Sequence, residues 1–410
     1  MHARTFTVLA ALAGIAAAGC SSDDSADPVA TAGPTPTAAT SGPATSTPGT
    51  AAPTSVAPDA PGGLVTGPAF SVLGALEEIP DGGEDHFELS TGDIAAVSEL
   101  FGLTRPDSVA DLDAVLDEWL LPLTFPGQPE YRELPVWMPL TEPLLPMNVS
   151  LLGEFDEMAG WSVIDVDAYV HYLPDPPGSL LATVGSFDDD ALAGLTEVAP
   201  GVVTTRDGED FAVDPGQISG FDPLGRPVRM ARDGDHLAVS LATPLVEAWQ
   251  AGPDATLADD PRLAAVAAAL DDADVLTAQL FRYDFVFNPG AAGQLTPEQA
   301  AELTEGFPVN ESFDTVGIGW AIDDAGEAVT VLAYAVAGGS ADALAEQLEV
   351  AFTEGLSIVT QQPLSATIGA VDPVIAVSGD VVTVTYQPVE RYWASAVQAL
   401  YQRDLPFVHF

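Results

Sequence analysis

The feature that most restricts the fold is an internal repetition between distant stretches. "RDGDHLAVSLATPLVEAW" (232–249) and "VSGDVVTVTYQPVERYW" (377–393) each read as a strand, a Gly-Asp turn, a second strand and a proline-opened helix. Gly-Asp between alternating apolar runs is hairpin chemistry, because such a turn needs the positive φ that glycine supplies. Upstream of each lies a second matched pair, "LLATVGSFDDDALAGLTEVA" (180–199) and "LAYAVAGGSADALAEQLEVA" (332–351). Aligned without a gap, each reads as a strand, a turn and a helix. Both helices carry Asp-Ala-Leu-Ala, three variable positions, then Glu-Val-Ala.

With "DVLTAQLFRY" closing the first unit and "LPFVHF" the second, each has the order strand, helix, strand pair, helix, strand. That is βαββαβ, a ferredoxin-like split arrangement with extra hairpins. The expected fold class is α+β: two ferredoxin-like repeats with antiparallel sheets, over 161–290 and 291–410. Region 63–160 precedes them and reads as mostly helical. "FSVLGALEEIP" and "DIAAVSELFG" space their apolar residues helically, with "HFELS" between them as a strand. "SVADLDAVLDEWL" opens with Ser108 as a helix cap and Asp111 three residues on. "PVWMPLTEPLLPM" is proline-broken and apolar, a buried irregular segment.

The start of the chain reads differently. His2 and Arg4 are followed by an apolar run, Thr5 to Ala18, the layout of a secretory signal peptide over residues 1–19. The run is too short for a stable membrane span. It ends in Ala17-Ala18-Gly19-Cys20, which resembles the bacterial lipobox, although the position usually held by Leu is Ala17. The resemblance implies cleavage before Cys20 and a diacylglycerol on its thiol. Cys20 is the single cysteine of the chain, and two acyl chains on one residue anchor stably where one would not. Residues 20–62 are then a Pro/Thr/Ser/Ala tract without hydrophobic periodicity, expected to be a disordered tether. No later apolar run is long enough to span a membrane.

Charge narrows the partners. The chain has 61 acidic and 11 basic residues, all of the latter Arg, for a formal net charge of −50. Nucleic acid is excluded as a partner, since each phosphate contact needs a cation to displace counterions. Without Lys there is no Walker loop, no Ser-x-x-Lys dyad and no Schiff base. Neither a Gly-x-Ser-x-Gly elbow nor His-Glu-x-x-His occurs. His86, His171, His236 and His409 stand singly, without ligand spacing. "DGDH" (233–236) lies in an expected hairpin turn. "GIGW" (317–320) reads as a strand with close backbone packing. Trp137, Trp161, Trp249, Trp320 and Trp393 fall at core-like positions. No cofactor is called for; the acidic clusters lack the EF-hand pattern and suggest adventitious calcium at most. Asn148 and Asn310 head sequons that mean little in a bacterium.

"PPGSLLATVGSFDDDALAGL" (176–195) and "LADDPRLAAVAAALDDAD" (257–274) resemble segments of uncharacterised actinobacterial lipoproteins. The resemblance implies an envelope lipoprotein and assigns no activity. The expectation is an extracytoplasmic lipoprotein held on the outer face of a bacterial cell membrane through Cys20. It acts as a non-catalytic binding or interaction module, whose partner is an envelope protein or a small molecule. The alternatives are a hydrolase with acidic residues in a cleft between the repeats, or a small-molecule binder.

Overall fold

Every described strand joins one antiparallel sheet, and near-continuous burial along its central strands marks a sheet covered on both faces. The computed structural model describes residues 63–410 apart from 125–135, 143, 146–151, 176–177, 220–221, 223, 288–297, 299–308, 390–393 and 410. The signal segment, Cys20, the tether, Asn148 and Trp393 lie outside the described residues. The strands are β1 (Phe87–Asp93), β2 (Val166–Pro174), β3 (Leu180–Gly185), β4 (Thr196–Ala199), β5 (Val202–Thr204), β6 (Arg229–Asp233), β7 (His236–Ser240), β8 (Thr277–Arg282), β9 (Ser312–Ile322), β10 (Ala328–Gly338), β11 (Ala370–Ser378) and β12 (Val381–Pro388). They form a 12-stranded sheet in the order β11-β12-β10-β9-β8-β1-β2-β3-β7-β6-β5-β4.

Helices cover both faces, so the body has three layers. On one face lie α1 (Val72–Glu77), α6 (Thr243–Ala251) and α7 (Pro261–Asp271). The other carries α2 (Ile94–Leu100), α3 (Leu112–Val115), α4 (Leu121–Thr124), α5 (Leu152–Ala159), α8 (Ala341–Glu354), α9 (Leu364–Ile368) and α10 (Ser395–Tyr401). The first face is paved with Ala168, Ala182, Ala238, Ala278 and Ala333, which lets its helices sit close. The "GIGW" expectation holds there: a Cβ on Gly317 would stand 2.6 Å from Val266 Cγ1 of α7, and one on Gly319 2.6 Å from Val275 Cγ1. The second face carries the large side chains, among them Tyr169, Trp320 and Tyr334.

Local chemistry explains several element ends. Asp93 caps α2 by accepting from the Ala96 amide at 2.7 Å. Asp111, rather than Ser108, caps α3, accepting from Ala114 at 3.3 Å, while Ser108 closes a turn with Ala110. Pro122 cannot donate to a helical ladder. A π-helical turn, Leu116–Leu120, absorbs this, the Leu121 amide reaching back to the Leu116 carbonyl. The described part of the proline-broken segment is irregular and buried at Val136, Met138, Leu140 and Leu144.

The connectivity departs from βαββαβ. In the first unit no helix forms over Asp188–Ala199. The Leu192 amide is drawn to the Ala159 carbonyl at 2.8 Å, and short turns from Asp188 to Leu195 give way to β4. Leu192 itself adopts a φ of 70°, and Arg232 donates to the Phe187 carbonyl at 3.0 Å and to that of Asp188. In the second unit the matching residues do form a helix, α8, capped by Ser340. "LPFVHF" is no strand; it contributes one parallel bridge, His409 to Val286, and buries Leu405, Phe407 and Val408.

What the units share is a set of five strands. β1-β2-β3-β7-β6 and β8-β9-β10-β12-β11 follow the same path outward from the centre. The Gly-Asp turns make Ala238 equivalent to Thr383, and from there the pairings can be stepped inward. Ala238 and Thr383 face Ala182 and Ala333; these face Val170 and Gly317; these face Thr91 and Leu280. In the central pairing Thr91 opposes Ala278 and Leu89 opposes Leu280, so the two paths close on a pseudo-twofold axis at the Ser90–Gln279 pair. β8 therefore opens the second set rather than closing the first. The register also corrects the upstream match: Leu181, not Leu180, is equivalent to Leu332. A one-residue slip moves every side chain to the other face, so the gap-free alignment pairs opposite faces.

Candidate functional site

A cavity of about 510 Å³ opens on the large-residue face over the first strand set. Its floor is His171 and Leu173 of β2, Leu181 of β3 and Val239 of β7, with Leu241 just beyond. One wall is the long β5–β6 connection, through Phe211, Asp222, Arg226 and Val228; Glu142 stands on the irregular segment, and Gly178 and Ser179 at the β2–β3 turn. Size and apolar lining are those of a small-molecule site.

The wall is latched by a buried cation. Arg229 is 3% exposed and donates from Nε to Asp210 at 2.9 Å and to Thr243 Oγ1 at 3.0 Å. It also donates to the Gly208 carbonyl at 2.7 Å and to Thr204 Oγ1. Asp210 in turn accepts from the Thr243 amide at 2.7 Å and its hydroxyl at 2.8 Å, at the start of α6. Burial pushes the Asp210 carboxyl up, but the bonds from Thr243 and Arg229 outweigh it and hold the group below its ordinary range. Phe211 follows at a φ of 62°, a left-handed backbone that bulky residues rarely adopt, and lines the cavity.

Inside the cavity, Asp222 and Arg226 form the charged element. Asp222 Oδ1 accepts from the Leu224 and Arg226 amides, each at 2.9 Å. Its Oδ2 accepts from Arg226 Nε at 2.9 Å and Nη2 at 2.6 Å. The carboxylate is saturated, and Nη1 is the guanidinium nitrogen left without a partner among the described residues. His171 is buried with Nδ1 2.6 Å from Thr141 Oγ1, and burial pushes its pKa down to about 4, so the ring is neutral near pH 7. The Ser240 hydroxyl is committed to the Ser179 carbonyl at 2.6 Å. The site thus offers an apolar body, a neutral imidazole and one half-satisfied guanidinium: means to hold a molecule and orient it.

The structure separates the other candidates. His86 lies on the surface 3.8 Å from Asp175. His236 opens β7 after the "DGDH" turn, and its Nδ1 stands 3.3 Å from Glu78, a bond that raises its pKa. His409 packs edge-on against Phe313 and is pushed down by burial. Trp161, Trp249 and Trp320 are core residues, and the half-buried Trp137 donates to the Thr124 carbonyl at 3.0 Å. Asn310 is exposed two residues before β9. Burial raises the pKa of Asp93, Asp165 and Asp271. Each accepts from backbone amides: Gly67 at 2.5 Å for Asp93, Ser162 at 2.8 Å for Asp165 and Val72 at 2.6 Å for Asp271. None of the three lines the cavity. Among the described residues no cluster of three or more His, Cys, Asp or Glu could hold a metal, and no helix is long and apolar enough to cross a membrane. Sequence reasoning missed Arg226 and Arg229. The available signal was "GRPVRM": in a chain without Lys, two arginines so close in an apolar context mark buried pairing.

No family model and no curated protein matches the chain. Among solved structures, one titled "Structure of crystal form I of TP0453" superposes with a TM-score of 0.37 at 9% identity, over 80% of this chain and 98% of that one.

Proposed function

We propose that the protein is a lipoprotein of the bacterial envelope, anchored through Cys20, whose folded body is a non-catalytic binding module. Its cavity takes a small, largely apolar molecule bearing an acceptor group that Arg226 holds through Nη1. The observation that carries the reading is the cavity: six apolar side chains around a guanidinium whose remaining donor has no partner among the described residues. The acids with raised pKa hold backbone amides elsewhere, which favours binding over the hydrolase alternative. The shared strand paths and the closed pseudo-twofold support a duplication of one ancestral strand set, as the repeated Gly-Asp hairpins suggest.

Anilinonaphthalene sulfonate, an apolar dye with an anionic head, tests the cavity. The full chain binds it with a rise in fluorescence, and Arg226→Gln weakens binding by about tenfold, the loss of one charge-assisted contact. Dye binding indifferent to Arg226 would overturn the reading. The anchor is tested by Cys20→Ala, which moves the protein from the membrane to the soluble fraction; full membrane retention refutes lipidation.

A further inference from the structure

The two strand sets end differently, and the difference points to a second site. β6, the outermost strand of the first set, is covered: β5 pairs with it antiparallel, Val203 opposite Met230 and Thr204 opposite Arg229. β11 holds the equivalent place in the second set, with Ile375 matching Met230, and it forms the edge of the sheet. Among the described residues no strand pairs with its outer side.

Exposed edges are normally blunted by charge, proline or short length. β11 is nine residues long, and Val374 and Val377 are 64% and 40% exposed. Its irregularity, at Asp372 and Pro373, is confined to the start, and from Val374 to Ser378 the register is unbroken and uncharged. The two-residue turn Gly379-Asp380 makes Ser378 and Val381 a hydrogen-bonded pair. By antiparallel alternation, Ile375 and Val377 then turn their amides and carbonyls outward. The same count places the Met230 amide toward β5, and the Thr205 amide, which donates to the Val228 carbonyl at 3.1 Å, fits that alternation.

We propose that the outer edge of β11 docks an extended segment of a basic partner protein, added antiparallel as a further strand of the sheet, just as β5 is added to β6. Charge selects the partner. Asp372 and Asp380 flank the regular stretch Val374–Ser378, β11 and β12 carry no cation, and the chain as a whole has a net charge of −50. A second copy is opposed by the same charges: self-pairing centred on Ile375 lays Asp372 of each copy beside the Ser378–Asp380 end of the other. A strand of β-branched residues with Arg or Lys at its ends meets both the open backbone and the acids.

The probe is a fluorescein-labelled hexapeptide, Arg-Thr-Val-Val-Thr-Arg, which sets the Val-Val-Thr of β5 between basic ends. Titrated with the full chain, its anisotropy rises saturably. Val377→Pro removes an outward amide, leaves the β11–β12 bonds intact, and weakens binding by about tenfold or more. Methylation of alternate peptide amides abolishes binding to the unaltered protein, a result that does not depend on how a variant folds. Absence of binding at millimolar peptide, or equal binding of the methylated peptide, overturns the proposal. So does a concentration-dependent dimer that Val377→Pro abolishes, which would make a second copy the occupant.

Discussion

The two halves of the sheet share a frame and differ in what they lay over it. In the second half the β10–β11 connection folds as α8 and α9, and Leu344, Leu348 and Phe352 pack down on the strands. In the first half the β3–β6 connection is a run of turns, the β4–β5 hairpin and an irregular wall. The strand residues differ to match. The pseudo-twofold makes Leu173 the counterpart of Trp320 and Leu241 the counterpart of Tyr386, and both aromatic residues are buried. The cavity is the volume left where large side chains and a helix are replaced by leucines and a latched loop. The space that the proposed binding would use is what one copy of the frame leaves out.

The largest expected effect comes from releasing the latch. Arg229→Met leaves Asp210 and the Thr204 hydroxyl without their cation and frees the wall of the cavity. Loss of one partner from a buried pair costs ~3–5 kcal/mol, and the partial exposure of Asp210 puts this case at the low end, about 3 kcal/mol. Urea unfolding should show that loss, together with loss of dye binding; an unchanged midpoint would mean that the wall is held by packing alone. Next is the substitution that makes the halves alike. Leu173→Trp copies Trp320 into the cavity floor. Because the space is open, stability should change by less than about 1.5 kcal/mol, while dye affinity falls by about tenfold. Undiminished dye binding would place the dye outside the cavity.

Legibility followed the range of the interactions. The hairpins at Gly234-Asp235 and Gly379-Asp380 were readable because turn chemistry is local, and so was the close packing at Gly317 and Gly319. The α+β class and the antiparallel sheet were readable for the same reason. The expected helix after Asp188 failed because its competitors are remote: the Ala159 carbonyl and the Arg232 side chain hold that backbone in turns. The upstream repeat was misaligned by one position because alanine-rich composition matches equally well in two registers, and only pairing with β7 and β12 decides between the faces. The cavity left little local trace. Its wall and floor come from residues 142–241 on four separate segments, brought together by Arg229 and Asp222.

The smallest effect concerns His171, whose counterpart in the covered half is Ile318. Burial pushes the ring down to about 4, below the ~6.5 of an unfolded histidine. Between those values the unfolded chain binds the extra proton and the native state does not, so stability falls as pH drops through that window and levels off below it. The contribution is fully present above pH ~6.5, and its loss by pH 5.5 is on the order of 1 kcal/mol. His171→Leu, which restores the aliphatic character of Ile318, should flatten that limb of the stability profile measured by urea unfolding from pH 7 to 5. His236 works the other way: its bond to Glu78 raises its pKa, so it contributes stability at low pH that is lost as pH rises through its folded value. Removing His171 should therefore leave a profile that improves on acidification where His236 charges. A profile in the His171→Leu protein that still falls with the same slope would show that the acid sensitivity belongs to another group.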